Sequence, residues 1–147
     1  MSEPLFTSSA TAVGGREGRV ESSDGNIKKD LAMPGTPRAK QLPDASNPEQ
    51  LFAAGYAACF DGALQFMAKK ERVSFESEVT ANVSLLKDEA DDGFKLAVTL
   101  QVKGTDIDKA KLEELVHKAH DFCPYSKATR GNIDVTLEVV EYSGNKN

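Results

Sequence analysis

The segment from Asn47 to Lys70 constrains the fold more than any other stretch of the chain. Asn47 is a good N-cap, Pro48 suits the first helical position, where its missing N–H costs nothing, and Glu49 adds a favourable charge to the first turn. The residues that follow, LFAAGYAACFDGALQFMAKK, are rich in helix formers and close on two lysines, as helix C-termini prefer. The first half of this helix is apolar nearly all round, unlike a helix lying on a protein surface. Such a helix must be covered, either by a sheet of its own chain or between two chains. With 147 residues the chain has little length to wrap it alone. The expectation is one domain, residues 1–147, that buries this helix in a homodimer.

Other compartments and partners are disfavoured. The apolar run from Leu51 to Phe60 is too short for a bilayer, which needs about 20 apolar residues. The opening MSEPLFTSSA lacks the basic and apolar regions of an export signal. No membrane partner and a cytoplasmic location are therefore expected. The net charge of −5 gives no electrostatic reason to bind nucleic acid.

Around the helix the chain alternates. Short strands are expected at about 4–13, 17–23 and 26–32, broken by Gly14-Gly15 and Gly18, with Asp24-Gly25 as a two-residue hairpin turn. Pro34 to Ser46 carries three prolines and no period, and reads as a loop. Val79, Ala81, Val83 and Leu85, then Phe94, Leu96, Val98, Leu100 and Val102, alternate with polar residues around an acidic turn, which predicts a long hairpin with one apolar face. Asp106 to Phe122 predicts an amphipathic helix, and Ile133, Val135, Leu137 and Val139 a closing strand. The order β-β-β-α-β-β-α-β points to an α+β fold.

Chemistry rests on two cysteines. One disulfide at most is too few for a secreted chain stapled by bridges, so the thiols matter chemically if they matter at all. Cys59, inside the apolar helix, could equally be a small core hydrophobe. Cys123 stands where the second helix must stop, because Pro124 disfavours a helical residue before it. His117 and His120, with Cys123 and Cys59, also form a set that zinc could accept. Steps of three along a helix spread such ligands over about 120° of its surface, which is loose for one ion.

Longer motifs bear on these alternatives. Asn47 to Phe60 (NPEQLFAAGYAACF) and Phe122 to Asn132 (FCPYSKATRGN) resemble the two signature segments of the organic hydroperoxide resistance proteins, a branch of the OsmC-like superfamily of thiol peroxidases. Gly14-Gly15-Arg16, followed by Ser22-Ser23-Asp24-Gly25, is similar to the N-terminal pattern of that family. Relatives are glycine-rich across Pro34 to Ser46, where this chain carries Pro37, Arg38 and Lys40.

The resemblance implies antiparallel sheets packed around a long central helix in an intertwined homodimer. It implies Cys59 as the peroxidatic thiol, Cys123 as the resolving thiol, and Arg16 with Glu49 as the pair that activates Cys59. It also implies alkyl and fatty-acid hydroperoxides as substrates, dihydrolipoyl groups on lipoylated proteins as the reductant, and no metal or other cofactor. Phe52, Tyr56, Phe60, Phe122 and Tyr125 flank the thiols in sequence and are the expected substrate-binding residues, favouring peroxides with an apolar tail.

Physical chemistry is consistent with those roles. A free thiol is only about 3% thiolate at pH 7, and the thiolate is the nucleophile. Cys59 is too deep in its helix for the N-terminal dipole to help, so a cation must come from elsewhere. Arg16 can supply it while its planar fork bonds Glu49. Glu49 and Cys59 are about 15 Å apart along a straight helix, however. Either the helix bends near Gly55, or it starts late, or Arg16 and Glu49 reach Cys59 across a subunit interface, which is the favoured reading.

Overall fold

Asn47 caps the long helix through its side chain: the Gln50 N–H donates to Asn47 Oδ1 at 2.8 Å. In the computed structural model, which describes residues 2–143, this helix, α2, runs unbroken from Pro48 to Lys70, after β1 (Ala10–Val13), β2 (Arg19–Ser22), β3 (Lys28–Asp30) and α1 (Pro37–Gln41). It neither starts late nor breaks at Gly55. The chain divides after Leu51 into two compact units.

The first unit holds an antiparallel sheet in the order β1-β2-β3. Its strands are shorter than the sequence predicts: turns take their adjoining ends, and residues 4–9 lie outside regular structure. Gly14 and Gly15, at φ 86° and 66°, lead through the left-handed region into a single 3-10 turn, Gly15–Glu17, that carries Arg16. The turn at Asp24-Gly25 is wider than the expected two-residue hairpin. The Ser22 N–H donates to the Ile27 carbonyl at 2.8 Å, and of the residues between them only Gly25 has a positive φ. Asp24 contributes its carboxylate, which accepts the Asn26 N–H and the Ser22 hydroxyl. The expected loop at 34–46 contains α1, with Thr36 as N-cap and Pro37 in the first turn. Arg38 ties α1 down by donating from Nε to the Leu31 carbonyl at 2.8 Å. Among the described residues of this unit, Leu31 and Ala32 are the buried apolar side chains.

The second unit pairs β4 (Glu76–Asp88) and β5 (Gly93–Thr105) as the predicted hairpin, with Val79 opposite Val102 and Val83 opposite Val98. Asp108 caps α3 (Lys109–Phe122) by accepting the Lys111 N–H at 2.7 Å. A short helix absent from the sequence reading, α4 (Pro124–Thr129), follows at once. It leads to β6 (Val135–Ser143), which pairs with β5 in parallel rather than antiparallel. The α3–α4 segment is the crossover that a parallel pair requires. The fold is thus α+β, with one antiparallel and one mixed three-stranded sheet.

Helix α2 buries one face, Tyr56, Phe60, Ala63, Leu64 and Ala68, in a core shared with Leu112, Leu115 and Val116 of α3 and Val98, Leu100 and Val102 of β5. Ala54, Ala58 and Phe66, on its other sides, remain exposed in the single chain. By length and composition α2 is long and apolar enough to cross a membrane, yet in this fold it supplies a face of the core.

Candidate active site

The two cysteines, 64 positions apart in sequence, meet: the Cys123 thiol points at Cys59 Sγ from 3.5 Å, and both are free thiols. Pro124 makes this local geometry. It ends α3 at Phe122 and begins α4, so Cys123 is left extended between two helices, at φ −64° and ψ 125°. The Cys123 N–H donates to the Ala119 carbonyl at 2.8 Å, and its own carbonyl accepts the Lys127 N–H at 2.9 Å. Cys123 is fully buried and Cys59 half-buried. A disulfide needs the sulfurs at about 2.05 Å, so bond formation asks for a small approach and no refolding.

Burial pushes the Cys59 thiol above its ordinary pKa; a hydrogen bond from the Tyr125 backbone N–H opposes this, and the neighbouring Cys123 thiol adds to the rise. A nucleophilic Cys59 therefore needs a positive charge beyond these neighbours. In the first unit Arg16 grips Glu49 in a bidentate pair, Nη1 to Oε1 and Nη2 to Oε2, both 2.8 Å. Arg16 holds the Glu49 carboxyl below its usual range, and Glu49 raises Arg16 in turn. The pair lies within one chain.

The expected substrate-binding aromatics separate into two groups. Tyr56 and Phe60 are fully buried and have no surface for a ligand to touch, since the helical period turns both onto the core face of α2. Phe52 is half-buried, while Phe122 and Tyr125 are exposed. The Tyr125 ring lies over Gly55, where a Cβ would stand 2.7 Å from its hydroxyl, so Gly55 makes room for Tyr125 rather than a bend. Phe52 and Tyr125 have ring centroids 6.1 Å apart. Phe122 stacks on Phe66 at 4.9 Å, a partner the sequence reading missed although Phe66 recurs seven residues after Cys59, on the same helical stripe. Among the described residues no three His, Cys, Asp or Glu side chains converge as metal ligands would: His117 is exposed and His120 bonds Ser126 instead. Ser126 and Thr129, both buried, were also missed, since single hydroxyl residues in a short helix carry no periodic signal.

A vicinal thiol pair between a long core helix and a Pro-started helix, in an α+β fold with a mixed sheet, defines a class of thiol protein, and residues 41–138 match the family model described as OsmC-like protein. The chain is 71% identical over 141 residues to organic hydroperoxide resistance protein OhrA of Bacillus subtilis, covering 96% of this chain and all of that one. It is 55% identical to OhrB of the same organism, covering 92% of this chain and 98% of that one. The crystal structure of B. subtilis OhrB superposes with a TM-score of 0.89 at 54% identity, covering 93% of this chain and all of that one. The chain belongs to the organic hydroperoxide resistance proteins of the OsmC-like family.

Proposed function

We propose that this protein is a cysteine-based peroxidase that reduces organic hydroperoxides to alcohols. The observation that carries the reading is the 3.5 Å separation of the Cys59 and Cys123 sulfurs. The Cys59 thiolate attacks the terminal peroxide oxygen. The O–O bond breaks, the alkoxide leaves and takes a proton as the alcohol, and Cys59, oxidised by two electrons, becomes a sulfenic acid. Cys123 then attacks that sulfur. The S–S bond forms, the S–O bond breaks, and the hydroxyl leaves with the Cys123 proton as water. An external dithiol restores both thiols by exchange.

Arg16, oriented by Glu49, supplies the positive charge that Cys59 needs and steadies the departing alkoxide. Because ten helical residues separate Glu49 from Cys59, the pair serves the thiol of a second copy, in a homodimer. Phe52, Phe122 and Tyr125 offer the apolar surface for the substrate tail. A dihydrolipoyl group on a lipoylated protein is the reductant, in the cytoplasm, and the cycle uses no metal or other cofactor. The test is a steady-state assay with tert-butyl hydroperoxide and dihydrolipoamide. Wild type should turn over and Cys59→Ser should not; a wild type inactive with several dithiols would sink the proposal.

A further inference from the structure

A buried chain of hydroxyl groups links the elements that carry the two thiols. Tyr56 Oη lies 2.7 Å from Ser126 Oγ, and Ser126 Oγ lies 2.8 Å from His120 Nδ1. Tyr56 Oη is also 3.2 Å from Thr129 Oγ1, whose hydroxyl donates to the Ser126 carbonyl at 3.2 Å. Tyr56 and Ser126 are fully buried and Thr129 nearly so. Burying three hydroxyl residues and half-burying an imidazole is costly unless every group is bonded, and apolar residues of the same size would fill the space without that cost.

Their placement relative to the thiols is regular. Tyr56 precedes Cys59 by one turn of α2. His120 precedes Cys123 by one turn of α3, and Ser126 follows it by one turn of α4. The bonded chain therefore fixes α4 to α2 and spans the α3–α4 elbow that holds Cys123. Arg130 adds a second tie across that elbow, donating from Nη2 to the His120 carbonyl at 2.6 Å. Burial and the charge of Arg130 both hold the imidazole below its ordinary pKa, which favours a neutral ring, and the Nδ1 of a neutral ring can bond the Ser126 hydroxyl in either tautomer.

We infer that the Tyr56–Ser126–His120 chain is a positioning device for the resolving step, holding Cys123 where it captures the Cys59 sulfenic acid before a second peroxide oxidises it further. Two fates compete for that sulfenic acid. Attack by Cys123 gives the disulfide and water, whereas a second hydroperoxide converts it to a sulfinic acid and releases another alcohol. Only the first depends on where Cys123 stands, and a misplacement of about 1 Å can slow a step by up to 10²-fold. The inference rests on the two-thiol cycle proposed above.

The test is intact-mass analysis of reduced protein after pulses of tert-butyl hydroperoxide without reductant, with the rate of first oxidation followed separately. Wild type should collect as the disulfide, and Cys123→Ser as the sulfinic acid. Ser126→Ala and His120→Leu should raise the sulfinic fraction on the order of tenfold at limiting peroxide, with first oxidation within about twofold of wild type. His120→Asn, whose side-chain amide presents a polar atom close to the position of Nδ1, should restore the disulfide. Should Ser126→Ala fail to fold, the contrast between His120→Leu and His120→Asn decides. Folded variants that partition as wild type does overturn the inference, as does a parallel fall of both steps, which marks general loosening. A wild type that never forms the disulfide overturns the two-thiol cycle and the inference together.

Discussion

Cys59 sits where its thiol is protected rather than activated. Desolvation raises its pKa, and the Tyr125 N–H offsets only part of that rise. Arg16, held by two 2.8 Å bonds to Glu49, is the charge proposed to reverse it. Removing a cation disfavours the thiolate, so the pH midpoint for alkylation of Cys59 by iodoacetamide should move up in Arg16→Ala, measured in Cys123→Ser protein to leave one thiol. Glu49→Gln should move it less, because the guanidinium keeps its charge and loses only its orientation. The first peroxidatic step should slow on the order of 10²-fold in Arg16→Ala. An unchanged midpoint would exclude Arg16 from this role. Composition and period gave no reason to pair two residues 33 positions apart, and only the motif resemblance drew them together. The structure pairs them because consecutive left-handed glycines place Arg16 on a tight turn.

Helices α2 and α3 are joined at their surface by Glu71, which follows the last turn of α2 and accepts from the Lys111 and Lys118 ammonium groups of α3. These two lysines hold the Glu71 carboxyl at about 2, against an ordinary 4.5. A carboxyl lowered on folding stabilises the native state fully above its unfolded pKa. That contribution is lost as pH falls from about 4.5 towards 2. Wild type should therefore melt at most a few degrees above Glu71→Gln at neutral pH and low salt, and the gap should close as the pH approaches 2. A gap that persists at pH 2, or that high salt leaves unchanged at pH 7, would show that Glu71 acts by packing instead. At this scale the sequence was most legible where a cap and a period coincide, as at Asn47; for α3 the period alone set the start at Asp106, whereas the Asp108 cap begins the helix at Lys109. Helices α1 and α4 span barely a turn or two, too short for a period, and their first-turn prolines, Pro37 and Pro124, read instead as part of a loop and as a helix stop. The parallel pairing of β6 depends on where the α3–α4 crossover delivers the strand, and no local pattern records that.

For the whole molecule, the apolar surface left over is the informative quantity. The first unit buries Leu31 and Ala32 while Val13, Ile27 and Met33 stay exposed, which is too small a core for some fifty residues to hold together unaided. In the second unit, Ala54, Ala58 and Phe66 of α2 are exposed as well. The apolar pattern that made the helix read as buried all round is thus only half satisfied within one chain, and the homodimer proposed above is the arrangement that would close it. Sedimentation equilibrium should give about twice the 15.8 kDa chain mass. If Arg16 and Glu49 serve the Cys59 of the partner, two inactive variants should complement each other. Co-refolding Arg16→Ala with Cys59→Ser gives roughly half heterodimers, each with one intact site, so activity should return to roughly a quarter of wild type. Were Arg16 to act within its own chain, every site would lack either the thiol or the cation. The mixture would then be as inactive as its parents, while the sedimentation result would stand unchanged.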